Sequence, residues 1–248
     1  MKSLDFSFNS MYYSLQLTGV FRQRAPSFTE LYGHYIYNYV DGYFYDGNPN
    51  LKTEDTWNTE LSLQNDYVNG AWTISAHHRR MNDYIMGQID DQLSNSFYQF
   101  KKYEQLGAVA ISGVDARWLQ LWSTHFSSDI RLSYLYAQHL GTDEPLPLIS
   151  PLNGWTTLSY ARDQWSASVI FDAAAKQNRI STLYSNEDAT DPYLVVGLDL
   201  SKQWKAERLS THLKVQNLTN AQYHRHTSIG NIPEQGRAVM LMVKFKSK

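Results

Sequence analysis

The sequence predicts an all-β protein: part of an antiparallel up-and-down transmembrane β-barrel, with about ten or eleven strands. Three observations carry this reading. Apolar and polar residues alternate with period two in one segment after another. The connectors between these segments take turns at being short and long. No stretch approaches the ~18–20 continuous apolar residues of a membrane helix. The mean hydropathy of −0.48 is what a wall with one apolar and one polar face averages to.

The strands follow in order. In 13–22 the apolar set is Tyr13, Leu15, Leu17 and Phe21, with Ser14, Gln16, Thr18 and Arg22 opposite. In 57–66 Trp57, Leu61 and Leu63 oppose Asn58, Glu60, Ser62 and Gln64. Ile130, Leu132, Tyr134 and Tyr136 share a face in 129–136, as do Trp165, Ala167, Val169 and Phe171 in 164–172. Leu194, Val196, Leu198 and Leu200 line up in 193–201, and Leu209, Leu213 and Val215 in 208–216. Val239, Leu241, Val243 and Phe245 form the last apolar face. Segments 71–86, 103–119 and 153–161 read as strands with noisier alternation, 3–9 is a candidate eleventh, and no helix is predicted.

Short connectors fall at Tyr67–Gly70, Trp122–His125, Ala161–Gln164 and Trp204–Glu207; long ones span 23–56, 87–102, 139–152, 177–192 and 218–236. An outer-membrane barrel makes this pattern from short periplasmic turns and long extracellular loops. All seven tryptophans (Trp57, Trp72, Trp118, Trp122, Trp155, Trp165, Trp204) fall near predicted strand ends. Interfacial girdles place Trp there, with the ring at headgroup level; the plainer alternative is that Trp caps the ends of any β core.

Composition narrows the function classes. The formal charge of −2 gives no reason to expect a nucleic-acid partner. With no cysteine, a disulfide framework or thiolate metal site is impossible. There is no GxSxG, HExxH or Gly-rich phosphate loop, so no enzyme chemistry is expected and no cofactor is implied. Asp90–Asp91 and Asp143–Glu144 read as solvated loop charge. Residues 1–11 lack a basic n-region and apolar h-region, so the expectation is that the chain starts inside something longer.

The 23–56 connector is far longer than a hairpin needs and too aromatic for a plain linker. Rings with a polar tip make good ligand anchors. Tyr32, His34, Tyr35, Tyr37, Tyr43 and Tyr45 are therefore candidate ligand contacts. So are His224 and His226, an x-spaced pair able to point two imidazoles at one metal complex. Arg225 between them disfavours a bare cation, and no protein metal site is expected. For every one of these side chains the alternative is packing on neighbouring loops and the barrel rim. His77 and His78, adjacent on a strand, point to opposite faces.

ArgAlaProSerPheThrGluLeuTyr at 24–32, then GlyAsnProAsnLeuLysThrGlu at 47–54 and a strand carrying Glu60, resembles the mid-barrel signature of TonB-dependent receptors. AsnLeuThrAsn at 217–220, Tyr223, and AsnIleProGluGlnGlyArg at 231–237 before the final strand resemble that family's C-terminal signature. The resemblance covers nearly all of 1–248 as the C-terminal half of the barrel. It departs from the pattern in having Thr53 where Pro is frequent, and in ending on Lys246, Ser247 and Lys248 after Phe245 rather than on an aromatic.

The resemblance implies a 22-stranded barrel in the outer membrane of a Gram-negative bacterium, of which this chain supplies about half. The implied partners are outer-membrane lipid and a small metal-complex ligand: a ferric siderophore, haem, cobalamin or another scarce nutrient. TonB would be reached only through an N-terminal plug domain, and nothing in the chain matches a plug or a TonB box. Half a barrel exposes two edges, each with roughly five unpaired backbone pairs, at tens of kcal/mol in hydrocarbon. That exceeds the ~5–15 kcal/mol stability of a typical protein. The chain by itself is therefore expected neither to insert stably nor to transport. The competing readings are a soluble β-rich glycan-binding module and a smaller, complete outer-membrane barrel.

Overall fold

The computed structural model describes residues 2–39, 41–95, 97–204 and 208–246. In chain order its elements are β1 (Lys2–Asn9), β2 (Tyr13–Arg24), α1 (Phe28–Tyr32), β3 (Ile36–Asn38), β4 (Tyr43–Asp46), β5 (Glu54–Tyr67), β6 (Gly70–Asn82), β7 (Ile85–Ile89) and β8 (Phe100–Gln105). There follow β9 (Val109–Leu121), β10 (Phe126–His139), β11 (Asn153–Arg162), β12 (Trp165–Ala174), β13 (Tyr193–Trp204), β14 (Leu209–Gln216) and β15 (Ala238–Phe245). Among the described residues no helix is long and apolar enough to cross a membrane, which says nothing about strands.

Eleven strands make one antiparallel meander, in the order β1-β2-β5-β6-β9-β10-β11-β12-β13-β14-β15. This is the predicted up-and-down wall, including 3–9 as a strand. Its two edges, β1 and β15, run the same way, because eleven is odd. The long connectors gather at one end and the short turns at the other. The turn at Trp204–Glu207 lies largely outside the described residues, as do Ser247 and Lys248.

Register explains the alternation. One row across the sheet reads Phe6–Leu17–Leu61–Ala76–Val114–Tyr134. The adjacent row reads Ser7–Gln16–Ser62–Ser75–Asp115–Ser133–Asn153 and faces the other way. The first face is an exposed apolar band, with Leu4 at 77% and Leu241 at 68% accessibility. The second is a polar interior wall, where Asp129 accepts hydrogen bonds from both Arg117 and Arg131. Tyr13, Tyr67, Trp72, Trp118, Trp165 and Trp204 lie on the apolar face near the short-turn end. Trp118 Nε1 donates to Tyr67 Oη at 2.9 Å, and Trp204 Nε1 to Thr211 Oγ1 at 3.1 Å. Trp57 packs on Phe21 toward the long-loop end. Trp155 is the exception to the girdle reading. It pairs with Arg131 and Asp172 and so faces the interior.

The connectors hold structure that alternation did not reveal. A second sheet, β3-β4-β8-β7, sits in the loops, and its β4–β8 pair is parallel. Segments 71–86 and 103–119 are therefore not single strands. Asp83 (φ 54°) and Gly107 (φ 78°) break each into a wall strand and a loop-sheet strand. Tyr84 N–H donates to the Gly107 carbonyl, and Leu106 N–H to that of Tyr84, which ties the two breaks together. The main buried cluster is Met81, Val109 and Ala137, at the inner tops of β6, β9 and β10, closed by Leu146 from the 139–152 loop. At ~1.5–3 kcal/mol per fully buried large aliphatic side chain, this cluster fixes that loop across the strand tops.

Candidate functional site

The loops are held by charged staples. Arg24, at the end of β2, reaches Glu30 Oε1 and Oε2 at 3.0 and 2.8 Å and also binds Glu54. Glu30 accepts from Ser27 N–H at 2.6 Å while Ser27 Oγ accepts from Glu30 N–H at 3.2 Å. This capping box starts α1. Buried Glu54 also accepts from Ile85 N–H at 2.6 Å, which anchors the start of β7. The GlyAsnPro segment then docks on the helix end, with Gly47 N–H on Gly33 O at 2.7 Å and Asn48 N–H on Glu30 O at 2.8 Å.

On the loop sheet, Tyr43 and Tyr45 share a face with Lys101. Lys101 is 4% exposed, pairs with Asp41 at 2.9 Å, and sits 4.2 Å from the Tyr43 ring centre. Tyr45 donates to the same carboxylate oxygen, Asp41 Oδ2, at 2.5 Å. Burial, reinforced by the Asp41 carboxylate, pushes both phenols up, so both stay neutral. On the opposite face Phe44 stacks between Tyr37, Tyr98 and Phe100.

Two carboxylates knit the later loops. Glu144 Oε1 accepts from Thr182 N–H at 2.6 Å and Leu183 N–H at 3.0 Å. Glu187 accepts from Ser181 N–H at 2.5 Å and Leu148 N–H at 2.7 Å. Burial works to raise each carboxyl, but it is outweighed at Glu144 by the Thr182 and Leu183 amides and at Glu187 by the neighbouring His226 and then the Ser181 and Leu148 amides, so both are held below the ordinary range. His226 Nδ1 lies 3.2 Å from Thr190 Oγ1. Its Nε2 is buried, has no hydrogen-bond partner, and lies 3.6 Å from Glu187 Oε2, an ion-pair separation too long for a hydrogen bond.

These staples bring four long connectors to one cavity of about 400 Å³. Asp41 and Tyr43 come from the first, Leu148 from the third, Asn186, Glu187, Asp188 and Thr190 from the fourth, and His226, Ser228 and Asn231 from the last. Asn186 Nδ2 donates to Tyr43 Oη, joining residues far apart in sequence across the cavity. Among the described residues, no three His, Asp or Glu side chains form a group suited to a metal ion.

The family described as TonB dependent receptor-like, beta-barrel matches residues 16–218. The chain belongs to that family. Such receptor barrels sit in the outer membrane of Gram-negative bacteria. The hemoglobin-haptoglobin utilization protein B of Neisseria meningitidis serogroup A / serotype 4A (strain DSM 15465 / Z2491) is 23% identical over 251 residues, spanning 86% of this chain and 30% of that protein. The copper transporter OprC superposes with a TM-score of 0.84 at 19% identity, over 98% of this chain and 39% of the other. A ferric enterobactin receptor of Pseudomonas aeruginosa superposes at 0.75 and 16% identity, over 97% and 39%. The chain thus spans well under half of each relative, and the structural likenesses establish the shared fold.

Within this receptor barrel the candidate residues separate. Tyr43 and His226 meet at the cavity. Tyr45 supports it from beneath through Asp41. His34 Nδ1 lies 3.1 Å from Asp46 Oδ1, and Tyr35 N–H donates to the same oxygen at 2.9 Å, so both brace the loop sheet. Tyr32 and Tyr37 stay half exposed on the outer loop surface. His224 Nδ1 lies 2.7 Å from the Asn231 carbonyl oxygen, whereas His226 Nδ1 faces Thr190 Oγ1. The two imidazoles thus take separate partners, and Arg225 between them pairs with Asp172. The reading of Glu144 as solvated charge is corrected: it caps backbone amides. Asp41, Asn186, Glu187 and Asp188 were missed, since single polar residues in loops carry no periodic signal. His77 and His78 do face opposite ways, toward Glu60 and Ser112 respectively.

Proposed function

We propose that the chain is the loop-bearing part of an outer-membrane uptake receptor for a scarce, small metal complex of the siderophore, haem or cobalamin class. The observation that carries this is the convergence of four long connectors on one cavity at the long-loop end. Its acids are largely satisfied, Asp41 by Lys101 and Glu187 by the Ser181 and Leu148 amides. What it offers a ligand is the Tyr43 phenol, the Asn186 amide and the Asp188 carboxylate, with the buried His226 imidazole set against Glu187 behind them.

The exposed band from Leu4 to Phe245 supports a lipid setting over a soluble glycan module, since water-soluble proteins rarely expose patches of this extent. Parallel edges argue against a small self-closed barrel, because all-antiparallel closure needs an odd number of further strands. Eleven more would complete the family's 22. The plug domain, and TonB through it, belong to that completed receptor.

The test is ligand binding by the native outer-membrane protein that carries this chain, against a ferric siderophore, haem and cobalamin. One of the three is expected to bind, and N186A or Y43F to weaken it about tenfold, the worth of one strong hydrogen bond. Equal affinity in both variants would remove the cavity from the binding site.

A further inference from the structure

We propose that Lys202 and Arg162 seat the phosphate of a phospholipid headgroup on the outer face of the barrel, at its short-turn end. This rests on the outer-membrane reading and goes beyond it. One outward-facing row crosses four strands as Arg162–Trp165–Lys202–Thr211. The next outward row above it is Tyr160–Ala167–Leu200–Leu213, the margin of the apolar band. The two cations therefore stand where the band ends, at the depth of the headgroups.

Lys202 is held rather than free. Its Nζ lies 4.1 Å from the Trp165 ring centre and 3.6 Å from that of Trp204. Trp204 is itself fixed through Nε1 to Thr211 Oγ1 at 3.1 Å. An ammonium has three N–H donors. Ring faces attract the charge but accept no full hydrogen bond, and no carboxylate among the described residues pairs with Lys202. A half-buried, oriented cation thus lacks an anionic oxygen.

Arg162 stands two strands from Lys202, roughly 10 Å along the sheet, with the Trp165 ring between them. Its one ion pair among the described residues, to Asp163, is 3.7 Å long and solvent-exposed on both sides, so the guanidinium edge stays available. Two long cationic side chains flanking an indole suit a phosphodiester that bridges them beside that ring, whose face Lys202 covers. The source of the phosphate is a lipid rather than the free ion. The seat opens directly onto Ala167, Val169 and Leu200, where acyl chains would lie.

The native outer-membrane protein carrying this chain would be purified in detergent and titrated with phosphatidylglycerol, and separately with inorganic phosphate, by native mass spectrometry. Wild type and K202R are expected to retain the lipid. K202Q should bind it about fivefold more weakly, from the ~1 kcal/mol per cation near an anionic surface, and R162Q by less. K244Q, on the lumen-facing register opposite Ser210, should be unchanged. Unaltered binding in K202Q, equal loss in K244Q, or displacement of the lipid by inorganic phosphate would each overturn the proposal. Heat-modifiable migration of each variant reports barrel insertion independently. A wild type that fails to insert counts against the outer-membrane reading, whereas an inserted K202Q that binds like wild type counts against the seat alone.

Discussion

Glu30 lies six positions after Arg24 and grips its guanidinium with both carboxylate oxygens, at 2.8 and 3.0 Å. The same carboxylate caps the start of α1 through Ser27 N–H. One side chain thus ties the end of a wall strand to the beginning of the longest loop. E30Q keeps the shape but removes the charge. It is expected to destabilise this connector by about 1–3 kcal/mol, the worth of a charge-assisted hydrogen bond. Faster hydrogen exchange confined to residues 27–34 and 47–51 would register it; unchanged exchange would show that the staple is dispensable.

Acid should loosen the later loops before the wall. Glu144 and Glu187 have carboxyls held below the ordinary range in the folded protein. Their contribution is fully present above the unfolded value of about 4.3 and is lost as pH falls through the lower, folded one. Hydrogen exchange at 142–149 and 181–190 is expected to rise as pH drops below about 4, and E187Q should show that looseness already at pH 7. Exchange that stays flat down to the acid unfolding of the wall would refute the linkage.

Lys101 is the most deeply buried cation described here, paired with Asp41 and packed on the Tyr43 ring. K101M leaves Asp41 without its ammonium while Tyr45 still donates to it. Breaking a buried pair from one side costs about 3–5 kcal/mol, reduced here because Asp41 is partly accessible. The loop sheet should become sensitive to protease while the wall remains heat-modifiable. Protease resistance equal to wild type would mean that Tyr45 alone satisfies Asp41.

Neighbours on one strand should respond oppositely to charge. Leu132 faces outward and Ser133 inward, in the middle of β10. L132R places a charge in the apolar band at about 2–4 kcal/mol, and S133R places it beside Asp115 on the polar wall. Only L132R should reduce the yield of folded barrel in membranes. Similar yields for both would argue that the exposed band does not face lipid.

How much of this was legible in advance differs between wall and loops. Tyr13–Leu15–Leu17 and Val239–Leu241–Val243 declare their face because a strand side chain has only two directions. Trp155 defeated the same logic: at a strand end an indole suits the interface and the interior rim equally, and only its pairing with Arg131 and Asp172 decides. The short helix at Phe28–Tyr32 was missed because five residues cannot display a helical period. Its signal was chemical, Ser27 followed three residues later by Glu30, inside a motif noted for family resemblance rather than for capping.

By itself, the sequence determined the antiparallel wall, which side of it is apolar, the alternation of short turns and long loops, and the family to which the chain belongs. Each of these is set by local periodicity or by short contiguous motifs. Tertiary structure alone decided that Tyr43 and His226 line one cavity with Asn186, that His224 binds the Asn231 carbonyl, and that Glu144 and Glu187 bind backbone amides. Those choices depend on contacts between loops far apart in the chain. The geometry exists only once the strands bring the loop ends to one rim and the buried cluster around Val109 and Leu146 fixes them there.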